Sequence, residues 1–422
     1  MDSMLAASRK TLRSPMSLFL IVPALLPFGR SAELGTLACV VGLLVLVSRN
    51  GWRGLHRRPA ASLLMILLAA YIGAALLSAP DSVAPAKSWS TVAVLLRYLP
   101  LGLFACLVLG DSRSLRALYA GVAVLVGLWA VAAWVQMLTG WSIRGASTGV
   151  YLTGLFGDDL KFGPTLAVLS PFALWWGRKH WGWRGLLAVF VLLLGPVLLA
   201  GARSAWICYA LVALAFAWRE AASPRRFMMF CVAGLILLAL AGGIAWKVSV
   251  RFDARVQRSL ALFQGSEQGV NTALTGRVDI WRTTLRMIAA HPFNGVGVRG
   301  YRYAYPAYAS PHDHFVVAEP CGPGQGACHP HQVVLEVLAG TGFLGLSLWL
   351  AALVWAIRAW RRVGVTARGQ AFPATVALAA MLFPLNSHLA FYSAWWGLLF
   401  AWLLALWCAA LYAVPEEKHD VA

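Results

Sequence analysis

The chain has 422 residues, of which 60% are hydrophobic and only 12% charged, against about 25% charge in an ordinary soluble domain. No soluble core could hide that much apolar surface, so a globular soluble enzyme is excluded. The formal charge of +19 comes from 35 Lys and Arg against 16 Asp and Glu. These charges fall in short clusters between long apolar runs rather than on one stripe, so arginines that set membrane topology explain them and no nucleic-acid partner is expected.

The first residues have the basic-then-apolar order of a signal peptide. No small-residue cleavage site follows Phe28, and a second apolar run begins at once, so this segment reads as a retained first helix. About 20 apolar residues cross a ~30 Å hydrocarbon layer. By that measure spans are expected near 15–29, 32–48, 60–78, 91–110, 116–138, 163–177, 186–201, 204–218, 228–248, 331–357, 372–386 and 393–413.

Positive connections stay in the cytoplasm, and alternate connections here are basic: Arg9, Lys10 and Arg13; Arg49, Arg53, Arg57 and Arg58; Arg113 and Arg116; Arg178, Lys179 and Arg184; Arg219, Arg225 and Arg226; Arg358, Arg361, Arg362 and Arg368; and Lys418. The connections between them carry only Arg30, Lys87, Arg144, Lys161 and Arg203 before the one long loop. The expected fold is therefore an all-α membrane protein of about twelve transmembrane helices in a bacterial inner membrane, with both termini cytoplasmic. Residues 1–248 hold helices one to nine, 249–330 form a large periplasmic loop, and 331–422 hold the last three helices and a short tail.

Loops longer than about 15 residues are usually functional or disordered, and 249–330 is too patterned for disorder. Phe252, Val256, Leu260 and Phe263 form one helical stripe with Arg251, Arg255 and Arg258 turned elsewhere, as in a helix lying on anionic lipid. A second helix is expected from Arg277 to His291, with Val278, Trp281, Leu285 and Ile288 at helical spacing and Pro292 behind it.

No Walker loop, dinucleotide-binding glycine turn or zinc-type cysteine spacing occurs, so no cofactor, metal or ATP-driven step is expected. Asp158 and Asp159 are adjacent; such a pair binds a divalent cation less often than it caps the next helix or faces water. Arg203, in LAGARSAW, sits on a tight turn between two apolar spans, where a charge needs a partner or an anion. Arg277 follows Thr275 and Gly276 at a helix start, where free N–H groups and a guanidinium together suit a phosphate. For both, a plain structural or solvent-facing arginine is the competing reading. Arg97, ~10 Å below the outer surface at 1.5 Å per residue, is either a further anion ligand or an interhelical contact, and Arg144 and Lys161 flank the same side.

His329 and His331 stand where the chain re-enters the membrane. Histidine accepts protons near neutral pH, although a membrane-surface histidine equally serves as a hydrogen-bonding anchor. Cys321 and Cys328 enclose GPGQGA and form a disulfide candidate in an oxidising periplasm; two free thiols are the alternative. The other five cysteines lie in spans as small packing residues.

Two stretches resemble a known family. TGRVDIWRTTLRMIAAHPFNGVGVRGYR has its Gly-Arg pair, a Trp four residues after that Arg, and a Pro followed by Gly-Val-Gly; HQVVLEVLAGTGFLGL resembles its histidine helix with Gly-x-x-Gly. Together with GLFGDDLKFGPTLA and GARSAW, they are similar to the O-antigen ligase superfamily, which includes O-antigen polymerases and protein O-oligosaccharyltransferases. The match covers 275–346 closely.

The resemblance implies transfer of a glycan from undecaprenyl diphosphate to a hydroxyl of lipid A-core at the periplasmic face. By this likeness Arg203 and Arg277 bind the diphosphate and His331 is the base; apart from the likeness, Arg97, Arg144, Lys161 and His329 are further substrate-binding candidates on the outer side. Gln332 stands where Asn is commoner, and His329 competes as base, while alignment to the downstream glycines favours His331. The partners implied are the lipid-linked glycan donor, the lipid A-core acceptor and membrane lipid. A transporter or lipid flippase is the rival of another class; its polar groups belong at mid-membrane, whereas here they gather at the outer edge.

Overall fold

The computed structural model describes residues 15–51, 58–143, 152–157, 160–248 and 250–415. The described residues are overwhelmingly helical and contain no named strand, only an isolated bridge between Asp111 and Val414. Eight helices among them are long and apolar enough to cross a membrane. The chain is thus a multi-pass membrane protein.

The expected twelve spans do not return as twelve separate helices that each meet this measure. Residues Met16–Arg49 count as one, yet Gly29 takes a φ of 65°. The chain folds back there so tightly that a Cβ on Gly35 would lie 2.6 Å from the Val22 nitrogen. Phe162–Leu199 likewise reverses at Trp181 and Gly182, with Gly177 packed on Gly185. Glycine is required at both turns because a side chain there would meet left-handed backbone strain. The expected spans at 204–218 and 372–386 form helices, Arg203–Glu220 and Val365–Leu382, that are not apolar enough to meet the same measure.

The connections sort into two groups by contact. In one, Arg178 pairs with Glu220 at 2.7 Å, Arg219 lies over the Phe372 ring, and Ser112 N–H donates to Val414 O. In the other, the long loop touches the Arg203 turn, the 79–88 connection and the 383–393 strap.

The first loop helix, Val250–Leu260, also contacts the protein. Phe252 is buried against the Trp206 ring, whose centroid is 5.2 Å away. Arg255 and Arg258 lie within electrostatic reach of Arg203. The helix therefore turns Phe252 of its apolar stripe toward the protein, while Leu260 and Phe263 stay exposed. The second loop helix runs Arg277–Ala290, with His291 as its cap.

The re-entry helix, Val333–Arg362, packs along Pro59–Ser78 and breaks at Gly342, where φ is 64°. The break admits the loop: Phe343 N–H donates to Pro292 O at 2.8 Å and Leu344 N–H to Phe293 O at 3.0 Å. A Cβ on Gly342 would lie 2.1 Å from the Phe293 carbonyl oxygen. The Gly-x-x-Gly pattern is thus a docking notch for the loop backbone.

Candidate active site

Arg203 opens its helix and spends its guanidinium on the loop. It donates to Ser259 Oγ at 3.2 Å, to the Ala273 carbonyl, and to Thr275 Oγ1 at 2.7 Å. Thr275 and Gly276 both have left-handed φ, 61° and 75°, and this double turn starts the helix that carries Arg277. Asn271 brackets the same start: its Oδ1 accepts from Val278 N–H at 3.2 Å and its Nδ2 donates to Asp279 at 2.5 Å. With that backbone donor occupied, the anion-binding capacity expected at this helix start rests chiefly on the Arg277 side chain.

The Arg277 guanidinium is half-buried and makes no hydrogen bond or ion pair among the described residues. Its pKa is lowered to about 10 by burial first, then by Arg203 and Arg255. Concentrated positive charge without a protein counter-ion is an anion seat in search of its ligand.

One turn along the same helix face, Trp281 Nε1 donates to Pro330 O at 3.0 Å. The tryptophan therefore ties the Arg277 helix to the peptide preceding His331. His331 itself has φ 58°, a conformation that costs a non-glycine residue energy and collects at functional sites. It is fixed from both sides. Gln332 caps the re-entry helix through Leu335 N–H at 2.6 Å, and His331 Nδ1 lies 2.7 Å from Ser387 O.

A carbonyl oxygen only accepts, so Nδ1 carries the proton and Nε2 keeps its lone pair. His329 has the opposite arrangement, because its Nδ1 accepts from the His331 backbone N–H at 3.3 Å, leaving an N–H at Nε2. Of the two rings, packed with centroids 4.0 Å apart, only His331 has its unengaged nitrogen ready to take a proton. Burial and, after it, Arg277 lower its pKa to about 4 against the pull of the Ser387 carbonyl. Burial, His331 and Arg299 hold His329 well below the usual histidine range.

Sequence reasoning missed His388, in the short connection LNSHLAF. Its Nδ1 lies 2.7 Å from Ser204 Oγ, beside Arg203, and burial, His331 and Arg277 push its pKa down to about 3. Nothing in the local sequence announces it; the signal is only a histidine in a connection assigned to the outer face. The strap that bears it is pinned by Phe391, whose N–H donates to Glu336 at 3.0 Å and whose carbonyl accepts from Tyr71 Oη at 2.6 Å.

Arg203, Arg277, His331 and His329 are thus brought together. Arg97 donates to Glu33 at 2.5 Å and lies over the Tyr98 ring, so it serves the interhelical contact, because an acid one helix away satisfies it. Lys161 lies 5.3 Å from the centre of the Trp395 ring. Arg144, Asp158 and Asp159 lie outside the described residues. Cys321 and Cys328 are bonded, with Cα atoms 5.6 Å apart. The resulting ring seats on the loop core, where Gly326 N–H donates to Arg302 O at 3.0 Å.

Below the strap lies an apolar cavity of about 570 Å³, lined by Tyr71, Trp349, Leu382, Phe391 and Trp407 among others and by none of these cations. It suits hydrocarbon and not the reacting groups.

Residues 188–350 match the family model described as O-antigen ligase. Over this stretch the chain is similar to the O-antigen ligase family. The match begins before Arg203 and ends beyond Gly345, so it spans both arginines, both loop histidines and the docking notch, while His388 and the strap lie outside it. No curated protein matches the chain. The likeness supports a glycosyltransferase-like function on glycan and lipid substrates, of the ligase type or the related polymerase and oligosaccharyltransferase types.

Proposed function

We propose that this protein is an O-antigen ligase that transfers a polysaccharide from undecaprenyl diphosphate to a sugar hydroxyl of lipid A-core. In this reading about twelve segments cross the inner membrane, both termini are cytoplasmic, and the site faces the periplasm. The single observation that carries the proposal is the unpartnered Arg277 guanidinium beside Arg203, within electrostatic reach of His331.

The donor's diphosphate binds Arg277 by a bidentate pair of N–H donors, with the remaining N–H groups of Arg203 beside it. The acceptor hydroxyl gives its proton to His331 Nε2 as its oxygen attacks the anomeric carbon. The C–O bond to the diphosphate breaks on the opposite face, so configuration inverts and undecaprenyl diphosphate leaves with the bonding electron pair. The guanidiniums offset the charge that builds on the leaving oxygen. A bound diphosphate also cancels part of the Arg277 field that suppresses the His331 pKa, so donor binding strengthens the base where it is needed.

The test is transfer by purified protein in lipid, given donor with lipid A-core or donor alone. Product only with lipid A-core is expected; product from donor alone identifies a polymerase, and lipid movement without glycan transfer identifies a flippase.

A further inference from the structure

Beyond His331 lies a second group of cations that the reaction above does not use. The segment GVGVRG is stitched into the bundle from two sides. Val83 N–H donates to Val296 O at 3.1 Å, Ser88 Oγ to Val298 O at 2.7 Å, and Val298 N–H to Ser78 Oγ at 3.0 Å. From the other side, Val296 N–H donates to Ala339 O at 2.8 Å. A Cβ on Gly297 would lie 2.1 Å from Ser82 Oγ, and one on Gly295 2.6 Å from Ala339 O. This frame holds Arg299 at φ 62°, a strained backbone for arginine.

What the frame presents is a half-buried guanidinium with no hydrogen bond or ion pair among the described residues. Buried Glu336 lies within electrostatic reach of Arg299 and Arg302, but it accepts from the Phe391 N–H and makes no ion pair with either among the described residues. Arg302, also half-buried and without a side-chain partner, lies within electrostatic reach, and exposed Lys87 stands near both. Enclosing two unpaired guanidiniums and straining the backbone of one is costly unless an anion completes them.

We propose that Arg299 and Arg302, with Lys87 at the rim, form a second anion seat that takes a phosphate group of the acceptor glycolipid. The assignment to the acceptor rests on the ligase reading and on position. His331 lies in the field of Arg277, whereas His329, whose ring centre is 4.0 Å from that of His331, lies in the field of Arg299 and Arg302. With the diphosphate on Arg277 beside His331, the seat whose field reaches His329 is left for the incoming molecule. Three cations match a phosphate dianion better than a single carboxylate.

The test uses full-length protein in lipid nanodiscs with lipid A-core and its phosphatase-treated form. Arg299→Gln and Arg302→Gln should each raise the acceptor KM about tenfold or more, the effect of losing one charged hydrogen bond, with the donor KM unchanged. With dephosphorylated acceptor the variants and the parent should converge. Equilibrium binding of each acceptor without donor gives a second readout: phosphate-dependent binding lost in the variants supports the seat even if no transfer occurs. A raised donor KM, or an equal loss on both acceptors, overturns it, and Arg302→Gln keeps the test open should Arg299→Gln fail to fold.

Discussion

Arg203 and Arg277 bring the same chemical group to the same place but hold it in opposite ways. Arg203 is committed to Ser259, Ala273 and Thr275 of the loop, whereas Arg277 is half-buried with nothing bonded to it among the described residues. A guanidinium with three protein acceptors acts first as a clamp, and one with none acts as a receptor. The pattern recurs across the histidines, where the Arg302 backbone anchors the disulfide ring while the Arg299 and Arg302 side chains stay uncommitted. The site is thus built from braced backbone that displays unbraced charge, which is the arrangement preorganised binding needs.

The largest effect should come from the base that this frame holds. His331→Ala is expected to lower kcat about 10²- to 10⁴-fold, the usual loss of a general base, with donor binding nearly intact. A variant that ligates at the parent rate in purified membranes overturns the assignment. The contrast between the arginines is tested next. Arg277→Lys should cut kcat/KM about 10- to 100-fold, because a point charge cannot reproduce the fork, with little change in melting temperature. Arg203→Ala should also destabilise the protein, by about 2 kcal/mol or more, since it orphans a carbonyl and two hydroxyls that now receive charged hydrogen bonds. If the two variants melt alike, the clamp and receptor roles do not differ.

Much of this arrangement was legible in the residues. Apolar runs and alternating basic connections separate the two ends of the bundle, and Arg203, Arg277 and His331 each stand at a marked start: a tight turn, a Thr-Gly pair, a re-entry point. Those signals are local, and so are the errors. Arg97 leaves an anion ligand and an interhelical contact equally open until Glu33, far off in sequence, is seen beside it. His388 and Arg299 carry no local mark, because what matters about them is set by contacts with Ser204 and with the 78–88 segment. The helix at Val250–Leu260 has the pattern of a lipid-facing stripe, and only the Trp206 ring on Phe252 shows that it also faces protein.

Acid titration distinguishes the receptor's field from general burial. In the folded chain His331 has its pKa lowered to about 4, against 6.5 in a model peptide. Between those values the unfolded state binds the proton and the folded state does not, so stability falls as pH drops from about 6.5 toward 4 and is level above. His388, near 3, adds loss in the same sense over a wider window. Arg277→Gln should move the His331 limb upward, and so should bound donor. The acid limb of kcat is therefore expected above that of kcat/KM; coincident limbs would show that Arg277 does not govern the base.

The smallest expected effect belongs to the disulfide. Closing the short ring between Cys321 and Cys328 constrains the unfolded loop by about 2–3 kcal/mol at most, and its native contact includes one hydrogen bond from Gly326 to the Arg302 carbonyl. Because that bond braces backbone and not the Arg302 side chain, Cys321→Ser should loosen the ring in hydrogen exchange and raise the acceptor KM less than Arg302→Gln does, leaving the donor KM alone. A double variant, Cys321→Ser with Arg302→Gln, should then show less than the sum of the two effects on acceptor KM, since both act on the same seat. Strict additivity would mean that the ring stabilises the loop without helping to place its charge.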